Sequence, residues 1–220
     1  VKANDFNGFL QLTELIENLL KWMWDNSYMW KGTHCSLEEL FFSNIDNQCM
    51  LWEKHHMLER LEQDANRLVD VLHNVDEADS ILKGIQSIMR YAMQIFCSGS
   101  YQDAVSYADV IFKAIQRTSS LPDIELASIY EKLLAIYSEA EFLEKAHLVA
   151  VQNEVLLEKI ATKGFSEEHR AMNITPSQFN SFVISKTIIA YLNHSVALSR
   201  MEKHEDSPRS EERFSRNAET

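Results

Sequence analysis

Five glycines and three prolines are all that a 220-residue chain has here for making tight turns. A β-rich fold of this size needs a turn residue every ten residues or so. Scarcity of both types therefore predicts an all-α fold of long helices with few connections, arranged as antiparallel hairpins. Apolar residues make up 45% of the chain, enough for a core and ordinary for a globular protein.

The apolar spacing agrees. Phe9, Leu12, Leu15, Ile16, Leu19, Leu20 and Met23 recur at three and four, which marks one face of a helix over about 6–25. Ser36 and Glu39 have capping-box spacing for a short helix. Leu51, Leu58, Leu61, Ala65, Leu68 and Leu72 predict a long helix over about 45–74. Asp76 or Asp79 is placed to cap the next helix, which runs to Cys97 with Gly84 inside it. Ser98-Gly99-Ser100 is a turn. Pro122 sits in the first turn of a further helical stretch, and a break near Glu139 to Glu141 divides that stretch in two. Thr175-Pro176-Ser177-Gln178 combines a cap, a first-turn proline and a capping-box glutamine. The helix it opens is apolar nearly all round, from Phe179 to Leu198, and so is expected to be packed from several sides. From Lys203 the chain is charged and almost free of apolar residues. The expected organisation is one helical domain over 1–202 and a tail over 203–220 without fixed structure in solution.

Around "FCSGSYQDAVSYADVIF", Ala92 precedes the Gly99 turn, Tyr101 lies just after it, and Ala104 and Ala108 follow four apart. Leu134, Leu143, Ala146 and Ala150 stand in the same relation around "YSEAEFLEKAHLVA", and Ala104 and Ala146 are 42 residues apart. This stretch, Gly84 to Ala161, resembles tetratricopeptide repeats, in which small residues let the helices of stacked hairpins pack closely. The resemblance implies a curved helical array with a protein-binding groove and a last helix acting as a cap. An irregular helical bundle with alanines at its close crossings accounts for the same residues. Before residue 80 the sequence shows no repeat.

Charge narrows the partners. With 33 acidic residues against 21 basic ones the formal net charge is −12. Nucleic acid and anionic membranes demand the opposite sign, so neither is expected as a partner. A protein or peptide with basic residues is. Cys35, Cys49 and Cys97 are odd in number and widely spaced, and the opening "VKANDFNGF" has no continuous apolar run; both lead to the expectation of an intracellular protein, cytoplasmic or nuclear.

Chemistry-bearing constellations are weak. Glu53 with His56 and Glu144 with His147 have the Glu-x-x-His spacing of di-metal helical bundles, but both pairs stand off the apolar stripes of their helices. His34, Cys35, Cys49 and His55 lack the short paired spacing of a zinc site. There is no glycine-rich phosphate loop. The sequence implies no catalytic residue, metal or cofactor. Trp22, Trp24, Tyr28 and Trp30 are the candidate partner-binding residues, because large aromatics are enriched at interfaces. Ser207-Pro208 is a minimal site for a proline-directed kinase. The expected function is a non-catalytic interaction scaffold or adaptor module. A homodimerisation module and a helical-bundle metalloenzyme are the alternatives.

Overall fold

The computed structural model describes residues 8, 10–16, 18–19, 22, 37–118, 121–166, 170 and 173–218, without the side chains of 37, 38 and 203–218. Among these residues the chain is all-helical and has no strand. Residues 10–16 and 18–19 are helical. They are followed by α1 (Leu37–Lys54), α2 (Leu58–Leu72), α3 (Ala78–Cys97), α4 (Tyr101–Arg117), α5 (Asp123–Glu139), α6 (Leu143–Lys163) and α7 (Pro176–Ala218). The chain divides into two compact units, Val1–Leu121 and Pro122–Thr220, where composition suggests a single domain over 1–202.

In the first unit, α1 packs on α2 and α3, and α3 packs on α2 and α4. Parallel helices α1 and α3 are tied at their polar edges. Ser87 Oγ donates to Asp46 over 2.9 Å, Arg90 to Glu53 over 3.0 Å and Lys83 to Ser43 over 2.7 Å. Gly84 is explained by this packing. A Cβ there would lie 2.9 Å from both Leu72 Cδ1 and Phe42 Cε1, so the missing side chain lets α3 settle against α1 and α2. Arg117 of α4 donates to the carbonyls of Leu72, His73 and Val75, tying α4 to the end of α2 and the residues that follow it. In the second unit, α6 packs against α5 and α7, and α7 also touches α5.

The expected single helix over 45–74 is instead two. The periodicity runs through a turn at His55 and His56 that no glycine marks. His56 takes the left-handed conformation (φ 56°) and Met57 N–H closes on Trp52 O over 2.9 Å. The same closure recurs at the two later turns. Gly99 (φ 90°) is followed by Ser100 N–H bonded to Ile95 O, and Glu141 (φ 65°) by Phe142 N–H bonded to Tyr137 O. Each is a left-handed helix stop in which the next amide reaches back five residues.

These three left-handed residues set a common frame. They lie 43 residues apart (56 to 99) and 42 apart (99 to 141). The fifth and ninth residues after them are Leu61 and Ala65, Ala104 and Ala108, and Ala146 and Ala150, and all six are buried. The fourth and seventh before them are Trp52 and Cys49, Ile95 and Ala92, and Tyr137 and Leu134, also buried. Hairpins α1–α2, α3–α4 and α5–α6 thus bury equivalent positions, including a hairpin before residue 80 where sequence shows no repeat.

One start signal forms as spaced. Thr175 N–H donates to Gln178 Oε1 over 2.8 Å and Gln178 N–H to Thr175 Oγ1 over 3.3 Å, a closed capping box at the start of α7. Pro122 stands at the cap of α5. Glu77, rather than Asp76 or Asp79, holds the cap position of α3. Ser36 lies outside the described residues. The backbone of α7 continues as helix to Ala218, so the charged stretch from 203 is not set off by a helix end.

One expectation about α7 is corrected. Phe179, Ala190 and Ala197 are buried, but Ile184, Ile188, Tyr191 and Leu192 are exposed. Only one side of the helix has a partner within the unit. A helix apolar all round says that its faces repel water; it does not say that the chain itself covers them.

Candidate functional site

Helices α2 and α4 diverge above α3 and leave a groove of about 710 Å³. Its floor is aromatic. Tyr91 of α3 meets Tyr107 of α4 edge to face, with centroids 5.0 Å apart and planes at 84°. Tyr107 donates its hydroxyl proton to Asn66 Oδ1 of α2 over 2.8 Å. Val69, Ile95 and Val110 supply apolar wall, and Leu58 stands exposed at one end.

The electrostatics have one sign. Among the described residues, Glu62 of α2 and Asp103 of α4 are the charged ones lining the groove, both exposed, and no cation lines it. Burial pushes the phenol of Tyr91 well above its ordinary range, and the hydrogen bond to Glu62 adds to this. Tyr107 is raised by burial first and then by the Glu62 charge. Both phenols therefore stay protonated at neutral pH. The groove offers two neutral rings and two carboxylates, the surroundings that accept a cationic side chain.

A second cavity of about 580 Å³ lies beside the N-terminal helical residues, between them and helices α1 and α2. Its charges are already matched. Arg60 lies 3.6 Å from Glu14 and stacks 5.8 Å from the Trp52 ring, while Arg67 bonds Asp64. Among the described residues that line it, cations and carboxylates are therefore equal in number.

Of the aromatic residues singled out from sequence, Trp22 is helical and 56% exposed. Trp24, Tyr28 and Trp30 lie outside the described residues. Sequence reasoning missed Glu62, Asn66, Tyr91 and Tyr107 as a group. Three helices bring them together, and no local spacing signals it.

The two Glu-x-x-His pairs do not converge. Glu53 pairs with Arg90 over 3.0 Å, and His56 sits in the turn that ends α1. His147 meets His194, with its Nδ1 2.9 Å from His194 Nε2; Glu154 in turn lies 2.7 Å from His194 Nδ1. Of the suggested zinc set, Cys49 is buried, and burial raises its thiol far above the ordinary range, followed by the charge of Asp64. His34 and Cys35 lie outside the described residues. Among the described residues no cluster of three or more His, Cys, Asp or Glu is placed to hold a metal ion.

No helix among the described residues is long and apolar enough to cross a membrane. Comparison with protein-family models, with curated proteins and with solved structures finds no match.

Proposed function

We propose that the chain is a non-catalytic protein–protein interaction module, an adaptor whose α2–α4 groove takes a basic residue from an otherwise apolar segment of its partner. The observation that carries this reading is the pairing of Glu62 and Asp103 with a protonated Tyr91–Tyr107 floor, with no cation among the described lining residues. A lysine or arginine entering the groove exchanges water for two carboxylates and the part-exposed ring of Tyr107, and Val69 and Val110 receive its aliphatic stem. The acidic excess of the whole chain steers such a partner toward it.

A tetratricopeptide-like arrangement of hairpins is part of the proposal. The common burial frame of α1–α2, α3–α4 and α5–α6 supports it, and the 42–43 residue spacing departs from that family's usual 34.

Fluorescence anisotropy with labelled peptides tests the reading, using Lys or Arg between apolar residues and the same peptides with Glu in place of the base. Basic peptides bind with an affinity that falls with salt, and Glu62→Lys with Asp103→Lys weakens them at least about tenfold, or roughly 1.4 kcal/mol. Binding that ignores the charge of the peptide, or survives both substitutions, rejects the groove.

A further inference from the structure

The second unit carries an apolar face that the shared hairpin frame makes anomalous. The seventh, tenth and fourteenth residues after the left-handed turn residue are Gln63, Asn66 and Asp70 in α2, and Ser106, Asp109 and Lys113 in α4. In α6 the same positions are Leu148, Val151 and Val155, all exposed, Val155 by 62%. Where two hairpins present polar residues, the third presents a hydrophobic stripe.

That stripe borders α7. Val151 lies one turn from His147 and from Glu154, the residues that hold His194. Tyr191 and Leu198 lie one turn to either side of His194. The exposed residues of α6 and α7 therefore flank one contact and form one surface. On α7 the series Ile184, Ile188, Tyr191, Ser195, Leu198 advances by four and three alternately, and every member is exposed. Alternating four-three spacing is the seam of two helices that supercoil about each other. The seam is about 21 Å long at 1.5 Å per residue. With the α6 stripe alongside, the exposed apolar residues of two helices form one patch, unlike the single scattered apolar residues of an ordinary surface.

We infer that this face is a homodimer interface, in which α7 pairs antiparallel with α7 of a second copy. Three features select a second copy. The seam needs a mate with the same spacing, and α7 itself has it. Its five members are uncharged on a chain of net charge −12, so here a copy can approach without bringing like charges into contact. Finally, Ile184 and Leu198 lie equally far from Tyr191, seven residues to either side. Antiparallel pairing centred there sets Tyr191 against its own equivalent and Ile184 against Leu198, as an isologous two-fold contact requires. The inference is independent of the α2–α4 groove, which lies in the other unit.

Sedimentation equilibrium of the full chain from about 1 to about 100 µM tests it. The wild type is a dimer across the upper part of this range. Ile188→Glu with Tyr191→Glu raises the dissociation constant more than about a hundredfold and leaves the helical circular dichroism intact, since both residues are exposed. In a Cys35→Ser, Cys97→Ser background, Tyr191→Cys forms an intermolecular disulfide under mild oxidation and Ser106→Cys does not. A wild type that stays monomeric throughout overturns the inference and leaves the face to a helix of another protein. A dimer that survives the double glutamate substitution, or a Tyr191→Cys variant that does not cross-link, overturns it equally.

Discussion

Trp52 of α1 donates its indole N–H to the carboxylate of Asp64 in α2 over 2.8 Å, and both residues are buried. The bond spans the turn at His56 and lies between two helices that the apolar periodicity alone would have run together. Arg67, one turn along α2, reaches the other carboxylate oxygen at 3.4 Å. Removing the acceptor leaves a donor in a dry place, and an unmet buried donor costs more than the bond itself contributes. Asp64→Ala lowers the unfolding free energy by about 1–3 kcal/mol, read by urea denaturation. Asp64→Asn, which keeps an oxygen facing the indole, loses less. Equal losses from the two substitutions would show that the oxygen is not what holds α1 to α2.

How much of this was legible depended on how local the signal was. The capping box of Thr175 and Gln178 is written in four adjacent residues, and it forms as spaced. The Ser98-Gly99-Ser100 turn announces itself through glycine, and the break at Glu139 to Glu141 through length. His56 gives no such sign. A histidine in the left-handed region is unremarkable in sequence, so the first hairpin and its place in the common frame stayed hidden. Gly84 reads as a weak point in a helix until Phe42 and Leu72 are seen against it. The groove was illegible for another reason. Glu62, Asn66, Tyr91 and Tyr107 meet only after three helices pack, and separations of 16 to 45 residues between the helices leave no periodic trace. Apolar residues around α7 were visible, but which of them lack a neighbour is a property of the packing.

Asp123 opens α5 and accepts hydrogen bonds from Lys159 and Lys163 of α6, each at 2.9 Å. Burial alone would raise its pKa, yet the two lysines outweigh burial and hold it below its ordinary value. A depressed folded-state pKa means that the contribution is present above the unfolded value, near 4, and is lost as pH falls through the folded value. Both lysines are more than half exposed, so the contribution stays under about 1 kcal/mol. Thermal unfolding of wild type and Asp123→Asn between about pH 6 and pH 2 checks this. The wild type is slightly the more stable at pH 6, and the gap closes on acidification below about pH 4. A gap that widens toward low pH would mean the wrong sign for Asp123.

The three hairpin turns make the last prediction, because they share a backbone geometry but not a residue. Glycine reaches positive φ without cost, whereas a side-chain-bearing residue there gives up about 1–2 kcal/mol. No atom lies within 4 Å of a Cβ built on Gly99, so Gly99→Ala tests conformation with no steric contribution, and it destabilises by about 1 kcal/mol. Glu141 carries the strain that Gly99 avoids, at φ 65° and with its side chain exposed. Glu141→Gly relieves it, and after the added flexibility of the unfolded chain is subtracted the gain is about 0.5–1 kcal/mol. His56→Gly shifts stability in the same direction for the same reason. Chemical denaturation midpoints decide the matter. If Glu141→Gly destabilises while Gly99→Ala does so too, the turns are not equivalent, and the common frame of the three hairpins loses its conformational basis.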